Sequence, residues 1–192
     1  MRRPFFSWLA HAKRLLRADS GVAAVEFALI LPIMVFVYVG TLDGSLLITT
    51  DRKVQSAAGA VGDLVARADE TLTTSQLRDF FLAASGIMTP YSTARLEQVV
   101  TAVRVDEDGD TEVVWTRQYA DGELSSTTRH TVGDTYPLPS EMIDISLGRM
   151  VIASEASYTY TPVAALVFSA PINLYRSSFF MPRFGGEIAL LP

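Results

Sequence analysis

Residues 22–39 read Val-Ala-Ala-Val-Glu-Phe-Ala-Leu-Ile-Leu-Pro-Ile-Met-Val-Phe-Val-Tyr-Val, an apolar stretch interrupted near its start by one acid, Glu26. Such a run reaches the ~18 residues that suggest a membrane-crossing helix, and it resumes at Leu42 and at Leu46, Leu47 and Ile48. A removable secretory signal would have a shorter apolar region ending at an Ala-x-Ala-like site. Gly40-Thr41-Leu42-Asp43-Gly44 is a poor version of one, so the expectation is an anchored chain. A carboxylate costs about 2.5–3.5 kcal/mol at the centre of a span and less near an interface, so Glu26 calls for a compensating partner. A cut between Gly21 and Val22 would make Val22 the first residue and Glu26 the fifth. The new α-amino group, with a reference pKa of about 8, would then lie one helical turn from a carboxylate of its own or a neighbouring subunit.

Charge gives the orientation. Residues 1–20 hold five bases (Arg2, Arg3, Lys13, Arg14, Arg17) and Asp19, a net +4; the remaining eleven bases and twenty acids leave −9. A basic flank stays cytoplasmic, which sends the C-terminal part across the membrane, into the periplasm of a Gram-negative cell. An acidic exported part lacks the basic stripes that neutralise phosphates, which argues against nucleic acid. Without cysteine there is neither a disulfide framework nor a thiolate metal site. Phe5, Trp8, Leu9, Leu15 and Leu16 among the leader bases suit a short helix on an anionic leaflet, or a flexible leader that only sets topology.

The expected layout is a basic cytoplasmic leader (1–21), a transmembrane helix (22–48), a continuation of that helix (49–70) and one periplasmic α+β domain (71–192). Val54, Ala57, Ala58, Val61, Leu64, Val65 and Ala68 recur at threes and fours, extending the helix. Pro32 should kink it or loosen a turn. Gly40 and Gly44 put two small residues on one face and invite a second helix, or simply mark the membrane exit; Ala57 to Gly62 extends the small surface, which could pack on the protein's own sheet.

Thr73-Thr74-Ser75-Gln76 has capping-box spacing for a helix to about Ala84, ended by Gly86 and Pro90. The period then turns to two: Val99, Thr101, Val103 and Val105 on one face, Val113, Trp115, Arg117 and Tyr119 on one face of the next strand, with Asp106 to Asp110 as the turn. Residues 122–140 read as loop, 141–147 as a short helix and 150–160 as a third strand. The apolar tail is interrupted by Pro171 and Pro182; Ala164 to Phe168 reads as a packed turn and Ser177 to Met181 as an edge strand. The fold class is α+β: a long N-terminal transmembrane helix followed by a small antiparallel sheet, a pilin-like arrangement.

Catalytic signals are sparse. The two histidines, His11 and His130, leave no basis for a zinc site of His and Cys, and there is no Gly-x-Ser-x-Gly elbow or phosphate-cradling glycine loop. No catalytic residue, metal or cofactor is expected; an enzymatic reading would need a pocket around His130 with a base and an acid. Asp106, Asp108, Asp110 and Glu112 fall short of a calcium loop, since Gly109 stands fourth rather than sixth, and read as a solvated turn.

Gly21-Val22-Ala23-Ala24-Val25-Glu26-Phe27 matches the Gly-x-x-x-x-Glu-[Phe/Tyr] signature of type IV prepilins, and the Ala-Leu-Ile-Leu-Pro that follows resembles the TadE/TadG group of pseudopilins. Over about residues 18–50 the resemblance is specific; beyond them it is diffuse. It implies cleavage between Gly21 and Val22 by a prepilin peptidase, and insertion of the mature helix into the bacterial inner membrane. It also implies work in Flp-type (Tad) pilus assembly beside other pilins and the assembly platform. In that frame Glu26 and Phe27 set helix register, Glu26 by pairing with the new amine. The competing expectation is a membrane-tethered periplasmic binding or structural domain unrelated to pili, in which Gly21 and Glu26 are incidental.

Overall fold

The computed structural model describes residues 21–163 and 169–192. The expected leader helix and the turn at Ala164 to Phe168 lie outside them. The first helix, α1, runs Val22–Ala66 without a break at Pro32. It ends four residues before the expected 70, where the chain turns and Glu70 takes a positive φ of 57°. The chain divides into two compact units at Ser45/Leu46, inside this helix; the first holds α1 up to Ser45, and the second holds the rest of α1 and the sheet.

In the second unit five antiparallel strands lie in the order β4-β3-β2-β5-β6. They are β2 (Leu96–Val105), β3 (Thr111–Ala120), β4 (Glu123–Ser125), β5 (Arg149–Tyr160) and β6 (Ile172–Phe180). Two further strands, β1 (Thr71–Thr73) and β7 (Ala189–Leu191), pair in parallel as a separate two-stranded sheet. That pairing joins segments more than a hundred residues apart and carries no local signal. The expected edge strand at 177–181 is real but longer, beginning at Ile172.

Helix α1 packs its 46–66 stretch on one sheet face because its apolar residues return at threes and fours: Val54, Ala57, Ala58, Val61 and Val65 are all fully buried. Glycine makes the close approach possible. A Cβ on Gly62 would stand 2.5 Å from the Phe180 ring and 2.9 Å from the Ser154 Cβ. The small-residue stripe therefore packs on the protein's own sheet. Ion pairs of Arg176 with Asp51, and of Arg183 and Arg67 with Asp63, flank the contact.

Helix α2 (Thr74–Ser85) starts where its capping box stands: Thr73 Oγ1 accepts from the Gln76 amide and the Gln76 side chain accepts from the Thr73 amide. Its Leu77 and Phe81 are fully buried, and Phe81 stacks on Tyr119 with ring centroids 5.5 Å apart. Trp115 Nε1 donates to the Ile188 carbonyl at 2.7 Å and draws in the C-terminal segment.

One strand-face expectation fails. Register shifts between Ala102 and Val103, which pair with Trp115 and Val113, leaving Val114 as an extra residue. The bulge places Trp115 and Tyr119 in the core with Val61 and Val65, while Val113 joins Val103, Val105, Val151 and Ala153 in a different cluster. Tyr136 and Leu138 cover that second cluster, with Met142 and Ile143 packed against it; the last two belong to α3 (Ser140–Ile145). The region read as loop also begins with a strand: Asp121 and Gly122 have φ of 52° and 84°, a tight hairpin turn that starts β4.

Candidate functional site

Two places carry the residues singled out from the sequence. The first is the start of α1. Gly21 precedes the helix, Val22 is its first residue, and Glu26 stands fifth, all solvent-exposed in the isolated chain. Phe27 is 59% exposed, and Val25, Leu29 and Ile33 exceed 60%. Gly40 and Gly44 lie one turn apart and are half-buried, and a Cβ on Gly44 would meet nothing within 4 Å. This stretch is long and apolar enough to cross a membrane, and no side chain in its most apolar window is buried inside the molecule. One N-terminal apolar helix of this kind points to single-pass anchoring. What the segment can do is associate: its apolar surface suits lipid or other helices, and a carboxylate such as that of Glu26 is costly at the centre of a membrane and less so near an interface.

The second place is His130. Its Nε2 lies 2.7 Å from Glu155 Oε2, and the Tyr175 hydroxyl donates to the other oxygen of the same carboxylate. Glu155 is almost wholly buried, on the face of β5 that also carries the buried Val151 and Ala153. Arg129 pairs with Glu97 at 2.9 Å and stands 5.4 Å over the Tyr175 ring, and the His130 ring tilts against Tyr136. Burial, reinforced by the hydrogen bond and charge of Glu155, pushes the Tyr175 hydroxyl up to about 12. Burial raises Tyr136 as well.

An acid and a base do meet at His130, as the enzymatic reading required. Their polar atoms are turned on one another, and a neighbouring hydroxyl, Thr128 Oγ1, donates to the His130 carbonyl at 2.7 Å. The geometry is that of a latch holding the segment before Tyr136 on the sheet. Glu155 and Tyr175 went unnoticed in the sequence; an acid in the middle of a strand that begins Arg149-Met150-Val151-Ile152-Ala153 was the available signal. At the acidic turn, Asp106 Oδ1 accepts from the amides of Asp108 and Asp110 at 3.0 and 2.8 Å, so that carboxylate shapes the hairpin.

No curated protein and no solved structure matches the chain. Residues 21–62, from the glycine before α1 to the glycine against Phe180, match the family model described as TadE-like protein, in keeping with the resemblance carried by Gly21, Glu26 and Phe27.

Proposed function

We propose that this chain is a membrane-anchored, non-enzymatic TadE-like pseudopilin, a minor subunit or assembly factor of a Flp/Tad pilus, matured by prepilin peptidase between Gly21 and Val22. The observation that carries the reading is an exposed carboxylate on the fifth residue of a helix that begins at Val22, within the family match. The helix is held in the inner membrane with its N-terminus cytoplasmic and its sheet unit in the periplasm. After cleavage the Val22 amine meets Glu26 of its own or a neighbouring subunit, and the apolar surface around Phe27 packs on other pilins or the assembly platform. Gly40 and Gly44 give the closest approach to a second helix.

Glu26→Gln keeps shape and removes charge. It should leave membrane insertion intact and reduce pilus assembly; normal piliation of that variant would refute the amine-pairing mechanism. The alternative, a tethered periplasmic domain without a pilus role, draws on one observation: the match ends at residue 62, so most of the sheet unit lies outside it. Deleting the gene and finding normal pili would favour that alternative.

A further inference from the structure

Several elements of the sheet unit converge on a cavity of about 330 Å³ at the Leu96 end of β2. Helix α2 brings Leu82 and Ser85, the 3-10 turn Thr93–Arg95 brings Thr93, β2 brings Leu96, and the β3–β4 hairpin brings Tyr119 and Asp121. Small-molecule sites span about 300–1,000 Å³, and this cavity falls at the lower end of that range. A second concavity, of about 540 Å³, lies beside Ser75, Arg78 and Leu124 and shares Gly122 with the first.

The polar groups of the wall differ in what they have left to offer. Ser85 Oγ donates to the Phe81 carbonyl and accepts from Gln98 Nε2, both at 2.8 Å, which fixes that side of the wall. Tyr119 is 6% exposed and stacked on Phe81, yet its hydroxyl has no hydrogen-bond partner among the described residues and is not sealed off. A buried tyrosine usually finds a partner for its O–H. At the rim, the exposed Asp121 carboxylate and Thr93 hydroxyl also bond to no described residue.

These groups narrow the ligand. No lysine or arginine lines this cavity, so an anionic group would face Asp121 without a counter-charge. An ammonium would have Asp121 alone, since Phe81 already occupies one face of the Tyr119 ring and no aromatic cage is formed. Leu82 and Leu96 suit an apolar surface, whereas Tyr119, Thr93 and Asp121 suit hydroxyl groups. A pyranose ring carries both, with C–H groups on its faces and hydroxyls at its edge.

We propose that this cavity binds a neutral sugar ring, its C–H face on Leu82 and Leu96 and its hydroxyls on Tyr119, Thr93 and Asp121. The Asp121 carboxylate accepts from sugar O–H groups, and the Tyr119 hydroxyl both donates and accepts. Neither membrane anchoring nor a pilus role is needed for such a site. The ring is either a free sugar or one unit of a glycan chain whose next unit enters the adjoining concavity.

The test is saturation-transfer NMR on the full chain in phosphatidylcholine nanodiscs, with glucose, galactose, N-acetylglucosamine, maltotetraose and chitotetraose as probes. At least one should bind, with a Kd of about 1–10 mM for a single ring. Tyr119→Phe keeps the stack on Phe81 and should weaken binding about fivefold. Asp121→Asn, a residue that tolerates the positive φ of 52° at this position, should weaken it about tenfold or more. Thermal unfolding followed through Trp115 fluorescence should be unchanged in both. If either variant unfolds, Ala94→Trp at the exposed rim carries the same expectation of lost binding. A tetrasaccharide that binds clearly tighter than its monomer assigns the site to a glycan chain, and equal affinities assign it to a free sugar. No binding by any probe at about 20 mM overturns the proposal, as does binding that both variants leave unchanged. Tetramethylammonium binding that the two variants abolish, with the sugars inert, would assign the cavity to a cation and also overturns it.

Discussion

The two stretches of α1 belong to one continuous helix and meet opposite fates. In Leu46 to Ala66 the apolar side chains keep to one side, with Val54, Val61 and Val65 fully buried and Arg52, Gln55 and Ser56 exposed. In Val22 to Val39 there is no polar side at all, and Val25, Leu29 and Ile33 remain open. A helix with a polar stripe has one partner and a solvent face, whereas one that is apolar all round needs partners on every side. Part of α1 is thus completed by its own sheet, and part by lipid or other helices.

The largest effect that separates the two stretches comes from a single charge. Val61→Asp buries an unpaired carboxylate in the sheet contact and should cost the unit several kcal/mol, about 3–5 by comparison with other unpaired buried charges; thermal unfolding followed through Trp115 fluorescence measures it. Ile33→Asp should leave that unfolding unchanged and impair membrane insertion instead, by about 2.5–3.5 kcal/mol. Equal effects of the two on unfolding would erase the distinction.

Glycine gives the next contrast. Gly62→Ala drives a methyl group into Phe180 and Ser154 and should destabilise by about 1–3 kcal/mol. Gly44→Ala, with nothing within 4 Å, should leave unfolding unchanged and weaken only helix association, read as crosslinking yield between copies in membranes.

Smaller again is the cap. Thr73→Ala removes the Oγ1 that accepts from the Gln76 amide and should cost about 1 kcal/mol, confined to exchange in α2.

The latch sharpens the comparison through pH, since it belongs to the sheet unit and has no counterpart in the apolar stretch. The folded Tyr175 holds its proton up to about 12, above its unfolded value of about 10. Its contribution is therefore complete below pH 10 and lost as pH rises from about 10 to 12. The wild type should lose stability more steeply across that window than Tyr175→Phe, as followed by Trp115 fluorescence in buffered denaturant.

What could be read from the chain follows how local each cause is. The period of Val54 to Val65 and the box at Thr73 and Gln76 lie within a few residues of what they determine, and both appear where expected. The bulge at Val114 depends on how β3 meets β2, so strict alternation misplaced Val113. The parallel pairing of Thr71–Thr73 with Ala189–Leu191 depends on the C-terminal segment that Trp115 draws in. Asp121-Gly122 was a legible hairpin signal, obscured by the polar residues after it. At the candidate site, Gly21, Val22 and Glu26 could be singled out together because they stand within six residues of one another, inside the stretch that the family model matches. The Glu155 latch was not, since His130 and Tyr175 come to it from 25 and 20 residues away.

The most direct test is the mass and N-terminal sequence of the protein isolated from its native membrane. A chain that starts at Val22, and fails to do so after Gly21→Ala, is the predicted result. An intact Met1 in cells with active prepilin peptidase would leave Glu26 without its amine and contradict the account.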